Sequence, residues 1–307
     1  MSTSSNAIPE SFGGPSAASE VFSATRPFYW SVRRELWEYR SLYIAPLIVA
    51  GVILLATTFS TFAGIWEPVL RLNPAQPFDK LAEPYNFAAL LLMGTTFVVA
   101  IFYCLDALHG ERRDRSILFW KSLPVSDWTA VLSKASIPLF VLPIITFAIT
   151  LGTQLMMLVV GTLVLSVSSG NPGMLWRNLP FVQMAVMLFY HLLAVHGLWY
   201  APFYGWLLLV SGWAKRAAFL WALIPLAAIA IVERIVFHSA YFLDLLGWRM
   251  MGGPDGNFPP PGNVLMPPMW HLTPGRFLIS PGLWIGLGFT AICLALAVEL
   301  RRQRGPV

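Results

Sequence analysis

The sequence predicts an all-α protein that crosses a membrane six times. Its residues are 57% hydrophobic and only 11% charged, where soluble domains carry about 25% charged residues. Six apolar runs are each long enough for a helix to cover the roughly 30 Å hydrocarbon core. They fall at about Leu42–Gly64, Phe87–Leu108, Ile137–Val167, Leu179–Trp213, Ala217–Phe237 and Gly282–Leu300. The basic residues alternate between the connecting segments in the way a fixed orientation requires.

The chain divides into a tail, 1–25, an amphipathic helix, 26–41, and a transmembrane domain, 42–307. The tail is rich in Ser, Ala, Pro and Gly, lacks a basic start, and reads as disordered rather than as a cleavable leader. In the next stretch Tyr29, Val32, Leu36, Tyr39 and Tyr43 keep to one helical face, opposite Arg33, Arg34 and Arg40. Aromatic residues opposite arginines predict a helix lying in the headgroup layer.

The third and fourth runs exceed what a perpendicular helix needs, so they must tilt, kink or project. Pro138 and Pro143 stand early in the third, where a kink is cheapest. The first connector, Ile65–Asn86, is proline-rich, and the second, Ser168–Asn178, carries the turn signal Gly170-Asn171-Pro172-Gly173. The last long connector, 238–281, centres on a Gly/Pro run that excludes regular helix or strand, and it could dip into the membrane surface.

With the N-terminus placed inside, fourteen of the twenty Lys and Arg residues lie on that side and five on the other, with Arg234 within a span. The positive-inside rule then puts both termini in the cytoplasm. The same asymmetry accounts for the basic character of the chain, which is therefore no sign of nucleic-acid binding. Cys104 and Cys293 both fall in spans and read as buried thiols.

Motifs that carry their own chemistry are missing. The sequence has no phosphate-cradling Gly-x-x-x-x-Gly-Lys-Ser/Thr loop, no His-Glu-x-x-His, no Cys-x-x-Cys and no Gly-x-Ser-x-Gly. His191 and His196 are five apart, which turns them about 140° from each other on an α-helix and suits partners inside a bundle better than metal ligands. Glu233 lies about 26 Å beyond Arg216 at 1.5 Å per residue, at the far boundary of the membrane core. With Arg234 it reads either as an interfacial ion pair or as a polar pair at an outer mouth.

The most informative stretch is the cytoplasmic loop 109–134. Glu111 to Arg115 reads as solvated. Ile117, Trp120 and Leu123 then recur at helical spacing, Pro124 ends that turn, and Asp127 is placed to cap the helix leading into the third span. A short amphipathic helix between two spans is a knob through which a motor could push.

Glu111, Ser116-Ile117-Leu118 and Lys121-Ser122-Leu123-Pro124-Val125-Ser126 resemble the signature of type-2 ABC exporter permeases, placed as there after the second span. The six spans, the amphipathic helix before the first and the long segment before the last extend the resemblance over most of the chain. It departs at Arg115-Ser116, where the family often has Gly-Thr, and in the Gly/Pro centre of 238–281, where some members have paired re-entrant helices.

The resemblance implies a half-transporter in a bacterial inner membrane, pairing with a second permease copy, identical or related. ATP and Mg would bind in a separate ATPase subunit, and this chain would hold no cofactor or metal. Glu111, Ser116, Ile117, Trp120, Leu123 and Pro124 would form the coupling helix, with added contacts from Arg33, Arg34 and Glu35. An amphipathic cargo such as a lipid, lipopeptide, antibiotic or peptide fits spans with few buried charges. Two rivals remain: a non-transporting membrane scaffold or envelope sensor, and an intramembrane enzyme built on His191, His196 and Glu233.

Overall fold

A computed structural model describes residues 25–63, 78–122, 125–167, 173–250 and 274–303. Nearly all of the predicted tail, the residues Leu123 and Pro124, and the Gly/Pro centre of 238–281 lie outside the described residues. What is described is helical, without strands, and six of its helical stretches are long and apolar enough to cross a membrane.

Helix α1 (Thr25–Glu38) precedes α2 (Ser41–Phe62), the first span. Helix α3 (Phe78–Ala107) is the second, continued by the short α4 (His109–Arg113) and then α5 (Ser116–Ser122). Helix α6 (Asp127–Ser136), a π-helical segment Ile137–Val141 and α7 (Leu142–Val167) form the third span, and α8 (Gly173–Asn178) follows. The fourth pass is α9 (Phe181–His191), a second π-helical segment Leu192–Trp199 and α10 (Ala201–Trp213). Helix α11 (Ala218–Val236) is the fifth span, α12 (Tyr241–Met250) and α13 (Pro274–Ile279) follow it, and α14 (Pro281–Gln303) is the last.

The spans stand where hydropathy puts them, with one shift. Helix α3 begins well before Phe87 and carries Pro84 inside it, although Pro84 was expected in the connector. A proline near the start of a long helix forfeits one hydrogen bond that the rest of the helix outweighs.

Two clusters organise the bundle. In one, α3, α10 and α14 meet through Cys104, Leu108, Tyr204, Leu208, Leu294 and Val298. In the other, α2, α3 and α7 meet through Ala50, Leu92, Met157 and Leu158. Small residues set the closest approach: a Cβ on Gly205 of α10 would stand 3.1 Å from the Thr290 side chain of α14. Cys104 and Cys293 are free thiols, as expected.

The two π-helical segments pack on each other, and their sequences explain why. Pro143 has no N–H to offer the Leu139 carbonyl four residues back, so the α-helical pattern cannot continue there. That carbonyl lies only 2.6 Å from where a Cβ on Gly197 would stand. Glycine is the only residue that admits it.

Candidate functional site

Four elements converge at the end of the bundle where α1, the α4–α5 loop and the end of α14 meet. Helix α1 contributes Arg34 and Glu35, α4 contributes Glu111, α6 contributes Asp127 and Lys134, and α14 contributes Arg301. Glu111 is the hub. It accepts from Arg34 at 2.8 Å, lies 3.2 Å from Lys134 Nζ, and takes a further hydrogen bond from Arg301 Nη1. Glu35 accepts from Arg34 at 2.5 Å, from Lys134 at 2.8 Å and from the Tyr103 hydroxyl at 3.0 Å. Arg301 Nε also donates to Asp127 Oδ1 at 3.1 Å.

Glu35, Glu111 and Lys134 are each no more than 3% exposed, and Arg301 is 7% exposed. Charges so placed are tolerated only when each finds an opposite charge and its hydrogen bonds. Here three cations face three carboxylates, and the group balances. Burial would lower the Arg34 pKa, but the Glu35 and Glu111 carboxylates together raise it. Glu38, at the rim, is raised from its ordinary value by burial and then by repulsion from Glu35.

A second fastening ties the loop to α10. The Leu108 and His109 N–H groups donate to Ser211 Oγ at 3.1 and 2.9 Å. Arg112 Nη1 donates to the Gly212 carbonyl at 2.7 Å and lies 3.3 Å from that of Ala214. A guanidinium there meets the negative end of a helix. Glu111 and Arg112 are therefore buried, contrary to the expectation of a solvated stretch; Arg113, Asp114 and Arg115 are the exposed part.

Helix α5 stands on this base. Arg115 turns into it with φ of +58°, a left-handed conformation that glycine adopts without cost. That is the position where the resembled family often has glycine. Ser116 Oγ donates to the Glu111 carbonyl at 3.4 Å. Ile117, expected on the outward face, is instead 1% exposed and packs inward, while Leu118 and Phe119 are 57% and 60% exposed. Trp120 is half-buried beneath Arg34, whose guanidinium lies 3.9 Å from its ring. A helix this short shows one face to its own bundle, and the apolar stripe took that face. Asp127 is not the cap of α6: Ser126 is, its hydroxyl accepting from the Thr129 N–H at 3.1 Å. Asp127 is left free to bind Arg301.

The stripe on α1 is corrected in the same sense. Val32, Leu36 and Tyr39 pack against the bundle core, and the exposed aromatic residues are Phe28, Tyr29, Trp30 and Trp37. Arg33 lies between two of these rings, 5.1 Å from Trp30 and 4.7 Å from Trp37, whereas Arg34 and Glu35 enter the buried network.

Glu233 and Arg234 form no ion pair with each other among the described residues. Glu233 accepts from Ser239 Oγ at 2.7 Å and from the Phe242 N–H at 2.9 Å, fixing the turn into α12, and Arg234 is exposed. His196 is buried in the second π-helical segment against Phe97 and Tyr200, and His191 precedes that segment. No group of three metal-ligating side chains occurs among the described residues.

No family model matches this chain, and no curated protein and no solved structure matches it. Function is therefore read from the site. The charged base ties α1, α4, α6 and α14 together, with α3 joined to it through Tyr103 and α10 through Arg112.

Proposed function

We propose that this chain is the permease subunit of an ATP-driven transporter of the type-2 ABC exporter kind. It moves an amphipathic substrate across a bacterial inner membrane, with both termini in the cytoplasm. ATP and Mg bind in a separate ATPase subunit. The observation that carries this reading is α5: a seven-residue helix between the second and third spans, with Leu118 and Phe119 exposed above the buried Glu111 network. Two exposed apolar side chains on a rigid, charge-locked mount suit the cleft of a soluble motor. They do not suit a loose connector.

The second permease copy is supported by α11, an apolar helix of nineteen residues that buries only Ala218 and Ala222. Such a helix needs lipid or another helix around it.

The test replaces Leu118 and Phe119 with Ser in the full chain, expressed with its ATPase. The ATPase should no longer co-purify, while helical content and thermal stability in detergent stay as in the wild type. An ATPase bound at unchanged affinity would remove α5 as the docking helix. A bound, active ATPase without ATP-dependent translocation would favour the scaffold reading.

A further inference from the structure

At the opposite end of the bundle, α12 is pinned to the start of α14 by Arg249, with Trp248 packed on Gly282 beside it. Helix α12 buries no residue fully. Its last turn is held by Trp199, whose Nε1 donates to the Arg249 carbonyl at 2.8 Å, and by Tyr200, whose hydroxyl donates to the Met250 carbonyl at 2.8 Å. Arg249 turns back into the bundle. Its Nε donates to the Trp199 carbonyl at 3.2 Å and its Nη1 to the Gly282 carbonyl at 3.0 Å. Its guanidinium lies 4.5 Å from the Trp199 ring. Nη2 occupies the notch left by Gly286, 1.9 Å from where a Cβ would stand, and has no hydrogen-bond partner among the described residues.

The other end of the bundle treats its cations differently. There Arg34, Lys134 and Arg301 each meet carboxylates. No ion pair among the described residues includes Arg249; two neutral carbonyls and a ring face are its partners. Burial lowers its pKa, as expected for a cation without a counter-charge. The planar fork that fits carboxylate and phosphate in bidentate fashion is thus present, half-buried and, among the described residues, short of an anion. Beside it Trp248, which packs against Gly282, is 41% exposed, apolar surface on which a chain could lie.

We propose that Arg249 is the receptor for an anionic amphiphile, binding its phosphate or carboxylate head while the tail lies along Trp248. Binding draws the guanidinium out of the Gly286 notch and frees the last turn of α12, whose first turn stays fixed by Glu233. Naming this ligand as cargo rests on the permease reading; the binding does not.

The test is isothermal titration of the full chain, in phosphatidylcholine nanodiscs, with dodecyl phosphate, using dodecyl maltoside as the uncharged control. Saturable binding of dodecyl phosphate alone is expected, weakened about tenfold or more in Arg249→Gln, as for loss of a charge-assisted pair. Gly286→Ala keeps the arginine but closes its notch, so it should tighten binding at least about threefold by removing the cost of withdrawal. That variant also guards against Arg249→Gln failing to fold. Equal affinity in wild type and Arg249→Gln, or unchanged or weaker affinity in Gly286→Ala, overturns the proposal.

Discs containing phosphatidylglycerol separate the two sources of the head group. Occupancy by a bilayer lipid lowers the apparent dodecyl phosphate affinity in the wild type but not in Arg249→Gln. A free amphiphile as ligand leaves it unchanged, and either result retains the site. An Arg249→Gln chain that loses binding yet still holds its ATPase separates this inference from the docking assignment.

Discussion

Lys134 donates its Nζ to Glu35 at 2.8 Å across 99 positions of sequence, and both side chains are at most 1% exposed. Neither charge could be buried alone. Glu35 is admitted by Lys134 and Arg34, and Lys134 by Glu35 and by Glu111, which lies 3.2 Å from the same ammonium.

Replacing the hub should therefore cost more than any single contact suggests. Glu111→Gln leaves Arg34, Lys134 and Arg301 facing one carboxylate fewer, and about 3 kcal/mol or more of stability should be lost. Adding Lys134→Gln should cost less than the sum of the two single changes, because the second removes a cation the first left with one carboxylate fewer. Chemical unfolding of the four proteins in detergent measures the cycle; strict additivity would mean that the charges do not interact.

Arg115 tests the mount of α5. Its φ of +58° places a side chain where glycine is at ease. Arg115→Gly should raise stability by up to about 1 kcal/mol, the gain being trimmed by the extra freedom of glycine in the unfolded chain. A melting temperature below that of the wild type would show that the exposed guanidinium contributes more than the strain.

Gly197 is constrained by the Leu139 carbonyl, 2.6 Å from the place of its missing Cβ. Backbone cannot yield as a side-chain tip does. Gly197→Ala should cost about 1–3 kcal/mol, as overpacking does. Thermal unfolding compared with Gly51→Ala, where a Cβ meets nothing within 4 Å, separates this clash from a general effect of removing glycine.

Glu38 gives a pH signature. Its folded pKa is raised, first by burial and then by Glu35. The folded state therefore holds the proton more tightly than the unfolded one, and the associated stability is present at low pH and lost as pH rises through the folded pKa. Glu38→Gln should match the wild type near about pH 4 and be the more stable of the two by about pH 7. A gap that widens on acidification would reverse the assignment.

The spans were legible because hydropathy is local: twenty apolar residues announce themselves without reference to the rest of the chain. The charged base was not, because its members lie in separate segments, and Glu111 sits beside Arg112, Arg113 and Arg115, which reads as solvated. A signal was nonetheless present. Glu35 lies at i+3 from Val32 and i−4 from Tyr39, Lys134 at i+3 from Val131, and Arg301 at i+3 from Val298, all of which pack in or against one core cluster. A charge in step with an apolar stripe needs a partner, and three such charges define a site. The direction of α5 was lost for a related reason. Periodicity finds an apolar face but not whether bundle or partner covers it, so Ile117 was expected where Leu118 and Phe119 stand.

The pairing of Arg301 with Glu111 and Asp127 also has a consequence in time. Asp127 finds its cations in Arg301 and, at 4.0 Å, Arg302, both at the far end of the last span. During synthesis the first five spans can enter the bilayer while this corner still lacks its final cation. A chain halted before residue 301 would carry an unmatched negative charge at the base of α5. The last turn of α14 thus makes completion of this corner depend on the sixth span.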